Sequence, residues 1–165
     1  MTALDFDKVW FRAEISADTD FLLKLYISTR ELELKQLDWS HAEKISFLTQ
    51  QFKAQYASYR QVYPDAEFDL IEYQAESIGR LYLLKSEAEC RLIDIALLPE
   101  YRNRKLGQHL IQNIQHLAAK ASSPVTLHVD HANPAFSLYK RLGFEIVEDK
   151  GVHLFMRWHP DNPGV

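Results

Sequence analysis

From residue 9 onward the apolar positions change period several times, and each change marks an element. Val9 to Ile15 alternates apolar and polar residues and predicts a strand. Ser16 or Asp18 then stands where a helix cap belongs. Leu22, Leu25, Tyr26, Thr29 and Leu32 follow at helical spacing. A second helix starts at Asp38 to Ser40, with Glu43 three residues after Ser40 in the pattern of a capping box. Ile45, Phe47, Leu48, Phe52, Tyr56 and Tyr59 carry it on. It stops near Tyr63-Pro64, because the residue before a proline avoids helical angles. The pattern then switches to strands at Phe68 to Tyr73 and Ile78 to Leu84, joined by a short polar turn. Glu89 to Leu98 is nearly continuously apolar from Leu92, the pattern of a strand covered on both faces, and Pro99 ends it. Leu106 to Ala121 reads as a helix with Leu110, Ile111, Ile114, Leu117 and Ala118 on one stripe, broken by Ser122-Ser123-Pro124. Val125 to Val129 is a strand. Pro134 to Leu142 is a helix with proline in its first turn. Phe144 to Glu148 and Val152 to Trp158 are strands joined by Asp149-Lys150-Gly151, and a short polar tail follows.

The predicted order is β-α-α-β-β-β-α-β-α-β-β, a mixed α/β layered fold. A dinucleotide fold would need more alternating parallel units. The 165 residues contain no repeat, linker or low-complexity segment and fit one domain over residues 1–165. The net charge of -4 argues against a nucleic-acid partner, which would expect a basic face. No apolar run approaches the roughly 18 residues of a membrane span. The start, MTALDFDKVWFRAEI, lacks the basic-then-apolar order of a signal peptide. A cytoplasmic protein without a membrane partner is expected. The single Cys90 can form no internal disulfide, which favours a reducing compartment, and it reads as a half-buried structural thiol.

The segment richest in chemistry is LLPEYRNRKLGQHL, Leu97 to Leu110. An apolar strand ends at a proline, a short basic loop follows, and an amphipathic helix begins at once. A helix N-terminus offers unpaired N–H groups and the positive end of the dipole, a ready site for a pyrophosphate. Arg102, Arg104 and Lys105 add positive charge, and Gly107 allows close backbone approach. Alternatively the loop is a solvated basic cap. In LHVDHANPAFSLYKRLGFEIV, a strand bears His128, Asn133-Pro134 opens a short helix bearing Tyr139, and Gly143-Phe144 turns it into the next strand.

Both segments resemble the GNAT superfamily of acetyltransferases, on its small-amine or peptide N-acetyltransferase branch. The acetyl-CoA loop of that family, Arg/Gln-x-x-Gly-x-Gly/Ala, is similar to Arg102-Asn103-Arg104-Lys105-Leu106-Gly107. Its signature Asn-x-x-Ala-x-x-Leu-Tyr-x-x-x-Gly-Phe is similar to the run from Asn133 to Phe144. Lys105 stands where the family carries its first glycine, so the backbone there is expected to adopt angles that a residue with a Cβ tolerates. The resemblance implies a central mixed, mostly antiparallel seven-stranded sheet flanked by about four helices, acetyl-CoA as cosubstrate, and no metal. It implies that the backbone of Ile95, Ala96 and Leu97 pairs with the pantetheine arm and that Arg102 and the amides of Asn103, Arg104, Lys105, Leu106, Gly107 and Gln108 cradle the pyrophosphate. It also implies that Asn133 contacts the cofactor and that Tyr139, beside the sulfur, protonates the leaving thiolate.

The implied activity is acetyl transfer to a primary amine of a small molecule, amino acid or peptide. Leu97 N–H would stabilise the oxyanion. The alternatives are a non-catalytic acyl-CoA-binding sensor or interaction module, and a phosphate-binding module without CoA. The general base is open among His128, Asp94 and a water relay. His128 titrates near neutrality and lies five residues before Asn133, where some relatives carry a glutamate. The alternative for His128 is a structural strand histidine, and for Asp94 a structural hydrogen-bonding residue. Arg91 and Ile93, where other relatives place a base, offer none. Arg30 or Arg60 can bind a substrate carboxylate or form surface ion pairs. The aromatic stripe of the second helix reads as core rather than pocket. A homodimer is left open.

Overall fold

The computed structural model describes residues 2–161. Strand β1 is Val9–Ala13, followed by helices α1 (Thr19–Leu34) and α2 (His41–Val62). Three strands follow, β2 (Glu67–Tyr73), β3 (Glu76–Lys85) and β4 (Cys90–Leu97). Helix α3 (Leu106–Lys120), strand β5 (Val125–Asp130), helix α4 (Ala135–Arg141) and strands β6 (Glu145–Asp149) and β7 (His153–Trp158) complete the order the apolar periods predict. The seven strands form one sheet in the order β1-β2-β3-β4-β5-β7-β6. Every neighbouring pair is antiparallel except β4 and β5, which run parallel.

Two cores form because each sheet face buries its own stripe. On one face α3 and α4 pack with Leu81, Leu83, Leu92, Val125, Leu127, Val129, Leu154 and Met156. On the other, α1 and α2 bury Leu22, Tyr26, Leu34, Leu48 and Phe52 around Leu70. Ser40 caps α2 as expected, its side chain accepting from Glu43 N–H at 3.1 Å.

The structure corrects several details. Asp18 does not cap α1 with its side chain. It takes two bonds of 2.9 Å from the Arg12 guanidinium and one of 2.8 Å from Ile15 N–H, and Ser16 lies in a short 3-10 turn. That fork holds the Asp18 carboxyl below the usual carboxylate range. Leu32 and Leu117 keep the helical period but face solvent, at 75% and 56% exposed, because each lies at the rim of its stripe. The first strand ends at Ala13, and Phe144 stays outside the exposed strand β6. The continuous apolar run of β4 is buried only at Cys90 and Leu92, and from Ile93 to Leu97 it is half-buried. Its sheet neighbour leaves it there. The polar tail expected after Trp158 is described only as far as Asp161, and residues 162–165 lie outside the described residues. Among the described residues, no helix is long and apolar enough to cross a membrane.

Candidate active site

The site begins as a gap in the sheet. β4 and β5 pair only at Cys90–Val125, Arg91–Thr126 and Leu92–Leu127, yet β4 runs on to Leu97 and β5 to Asp130. β4 instead follows β3 to the pair Gly79–Leu97, with a bulge near Ile93. A Cβ on Gly79 would lie 2.3 Å from Ala96 O, so only glycine permits this close approach. Leu98 N–H donates to Ile78 O at 2.8 Å. Since successive residues turn their N–H and C=O groups to opposite edges, Leu98 and Ala96 face β3, while Ile95 and Leu97 face the gap.

A loop closes one end of the gap. Arg102 and Arg104 are spent on the protein's own carbonyls. Arg102 donates to Leu97 O at 2.9 Å and reaches Ser28 O at 3.3 Å and Ser28 Oγ at 3.1 Å, tying β4 to α1. Arg104 donates to Thr2 O at 2.7 Å and Glu100 O at 3.2 Å and lies 5.8 Å from the Tyr101 ring. Both arginines keep their charge but direct these donors inward, and of the three cations in the loop only Lys105 is exposed. Asn103 and Lys105 both take left-handed angles, φ 57° and 66°. Lys105 thus holds the glycine-favoured conformation despite its Cβ, at a cost of roughly 1–2 kcal/mol. The first bond of α3 runs from His109 N–H to Lys105 O, and no side chain caps the helix. The N–H groups of Leu106, Gly107 and Gln108 are left without intrahelical acceptors. A Cβ on Gly107 would meet nothing within 4 Å, so the space beside this first turn is open at Gly107.

Helix α4 sets Tyr139 beside the gap. Asn133 Oδ1 accepts from Ala135 N–H at 2.9 Å and starts the helix, which uses its oxygen and not its amide nitrogen. Gly143, at φ 93°, ends it. Gly143 N–H returns to Lys140 O at 3.1 Å and Phe144 N–H to Tyr139 O at 3.0 Å, the double bond of a Schellman turn. That turn lays the Phe144 ring edge-on against Tyr139, centroids 5.6 Å apart. Tyr139 is buried, and among the described residues no protein group bonds its hydroxyl. Burial first, then the charge of Asp94, push its pKa above the ordinary phenol value.

His128 lies on the opposite face of the sheet. Its β5 neighbours Leu127 and Val129 belong to the α3 core, so His128 points away from it, at 5.0 Å from the Phe155 ring of β7. It lines a cleft of about 260 Å³ with Tyr59 and Tyr63 from the end of α2, Ile93, Asp130 and His153. Burial, then the charges of Arg91 and Lys150, press the His128 pKa below that of free imidazole, which leaves the ring neutral at pH 7. A wider depression of about 500 Å³ between α1 and Leu98 to Glu100 holds neither His128 nor Tyr139.

Asp94 has the partner its apolar strand demands. It pairs with Arg80 of β3, which also takes a bond of 2.8 Å to Gln55. Arg80 is buried and lies 5.0 Å from the Tyr82 ring. The Asp94 charge also reaches Tyr59, whose pKa is raised, by burial above all. Arg60 is not a surface ion pair. It joins the half-buried Glu14, whose side chain is 6% exposed, and sits 3.4 Å from the Tyr56 ring and 4.4 Å from Phe68. Arg30 bonds Glu33, Tyr26 and Gln51. Sequence reasoning missed Tyr59 and Tyr63 as cleft walls, because their helical spacing is also that of core. It also missed Arg80, whose signal was a lone charge in the apolar run Ile78 to Leu84.

Comparison with known proteins fits this geometry. The chain resembles the PaiA N-acetyltransferase of Thermoplasma acidophilum, solved in complex with coenzyme A, at 19% identity and TM-score 0.68, covering 92% of this chain and 98% of that one. It resembles an acetyltransferase of Thermus thermophilus at 15% identity and TM-score 0.66, over 92% and 97% of the two chains. An Elizabethkingia anophelis GNAT acetyltransferase with acetyl-CoA bound gives 15% identity and TM-score 0.57, over 93% and 99%. No curated protein matches the chain by sequence. A family model described as the acetyltransferase (GNAT) domain matches residues 64–146, the stretch that holds the gap, the loop, His128 and Tyr139, and the chain therefore belongs to the GNAT acetyltransferase family.

Proposed function

We propose that the protein transfers an acetyl group from acetyl-CoA to a primary amine of a small molecule, amino acid or peptide, by direct attack. The observation that carries this reading is the gap between β4 and β5, flanked by Tyr139 on one face and His128 on the other. The residues present suit the cosubstrate. The free N–H groups of Leu106, Gly107 and Gln108 lie on a turn that is open at Gly107, which suits a pyrophosphate. The edge groups of Ile95 and Leu97 suit an amide-bearing arm. Acetyl-CoA supplies the activated acyl group.

The chain's residues divide the remaining work. His128, neutral at pH 7, accepts a proton from the amine on the cleft side. Leu97 N–H donates to the developing oxyanion. Tyr139 stays protonated through the physiological range and delivers its proton on the α4 side. Asp94 is committed to Arg80, so its part is electrostatic rather than that of a free base. The structures solved with coenzyme A and acetyl-CoA support this choice of cosubstrate.

The test is acetyl-CoA turnover over an amine panel, followed against pH. Tyr139→Phe should lower kcat by about 10²–10⁴-fold. Because the His128 pKa is depressed and the base works deprotonated, the wild-type rate should fall on acidification only below the ordinary imidazole range. His128→Ala should be slow and lack that acid limb. Full activity in Tyr139→Phe would remove the proposed acid, and an unchanged acid limb in His128→Ala would remove the base.

A further inference from the structure

Residues 2–8 run ahead of β1 and lie against the loop that opens α3. The register of β1 on β2 sets them there, since Val9 stands across from Tyr73. Three contacts hold the segment down. Asp5 N–H donates to the Tyr73 hydroxyl at 3.2 Å. The Phe6 ring stacks on His109, in the first turn of α3, with centroids 4.3 Å apart and planes 23° from parallel. Thr2 O accepts from Arg104 at 2.7 Å, while the other arm of the same guanidinium reaches Glu100 O at 3.2 Å. Leu4 and Phe6 also pack against the α3 core. The Nε of Arg104 is buried and has no partner among the described residues, so packing encloses that edge of the guanidinium.

Arg104 stands between the two strained positions of the loop. Asn103 and Lys105 carry φ of 57° and 66°, and neither is glycine. Such angles persist only where the surroundings hold them. The side chain between the two is the one that spans from residues 2–8 to the start of the loop at Glu100. We infer that Arg104, anchored by residues 2–8, is a positioning residue that holds Lys105 in the conformation of the missing motif glycine, and so keeps the Leu106, Gly107 and Gln108 amides aimed at the cosubstrate. That role rests on the pyrophosphate cradle proposed above and adds the device that maintains it. Glycine keeps the left-handed conformation open at no steric cost. Lysine does not, so the anchor does for this chain what the glycine does for the motif. Apparent affinity falls with the fraction of molecules that hold the competent loop, so the anchor acts through acetyl-CoA binding. Arg104 touches no reacting atom.

The experiment reads the Kd of CoA by calorimetry and the Tm of the ligand-free protein. Arg104→Met is made in the wild type and in a Lys105→Gly background. In the wild type it should weaken CoA by about tenfold, and KM for acetyl-CoA should rise with kcat unchanged. In the Lys105→Gly background the same change should weaken CoA by about threefold or less, because the backbone there no longer needs holding. Arg104→Lys keeps the charge but brings one ammonium to two carbonyls, so it should weaken CoA as well. Phe6→Ala frees the segment without altering the charge of the loop. It should show the same dependence on residue 105 at a smaller size, and it carries the comparison if Arg104→Met does not fold. An equal loss from Arg104→Met in both backgrounds, or wild-type affinity in Arg104→Lys, would assign the effect to charge and overturn the inference. Wild-type affinity in Phe6→Ala would overturn the part given to residues 2–8. A wild type that binds no CoA would instead overturn the cradle, and this inference with it.

Discussion

Lys105 offers a direct measure of what the departure from the glycine pattern costs. Its backbone sits at φ 66°, ψ 8°, with no side-chain cap bond, and its side chain is exposed. A residue with a Cβ loses roughly 1–2 kcal/mol at such angles. Glycine would recover that, but would also give the unfolded chain roughly 0.4–1 kcal/mol of extra entropy. Lys105→Gly should therefore stabilise the fold by about 0.5–1 kcal/mol. For a chain of this size that raises Tm by about 1–4 °C. Lys105→Ala is the matched control. It removes the same charge and keeps the Cβ, so its stability should stay within about 0.5 kcal/mol of the wild type. Thermal melts and urea titrations of the three proteins, without ligand, give the comparison. If glycine and alanine shift stability equally, the effect belongs to the lysine side chain and the strain argument is refuted.

Two further outcomes follow from the same geometry. Gly107→Ala should fold at least as well as the wild type, since its methyl meets nothing within 4 Å, yet it should weaken CoA binding in calorimetry by intruding on the space beside the free N–H groups; undiminished affinity would move the pyrophosphate elsewhere. Asp94→Asn should cost about 3 kcal/mol in urea unfolding, because it strands Arg80, which is 5% exposed, without its carboxylate, and adding Arg80→Met should recover most of the loss.

The fold was largely legible because its elements are written in period and punctuation. The Ser40 cap of α2, the stop before Pro64, the apolar strand ended by Pro99 and the short helix between Asn133 and Gly143 all appear where the sequence places them, although Ser40 and Glu43 make only the Ser40 half of the expected capping box. What misled was burial. Leu32 and Leu117 satisfy the helical period, but period alone cannot tell the middle of a stripe from its rim. The run from Leu92 to Leu97 looked covered on both faces, because an apolar strand beside a gap has the same composition as a buried one.

The site was legible in a different way, as residues without directions. The basic loop suggested charges aimed at a phosphate, yet both arginines turn back to carbonyls of their own chain. Arg102 reaches Leu97 and Ser28, and Arg104 reaches Thr2 and Glu100. Their work is to hold the loop in the shape that frees the α3 amides, so the proposed anion site would be built mostly from backbone. The sequence singles out Tyr139 and His128 as candidates, but not that they stand on opposite sheet faces. That fact depends on β5 alternation combined with the departure of β4, and the departure depends in turn on Gly79 admitting Ala96 O. In the proposed transfer the base and the acid are separate groups, and each must come within hydrogen-bond reach of the reacting atoms from its own face. A parted pair of parallel strands provides both sides at once, since the two faces of the sheet meet only through the gap.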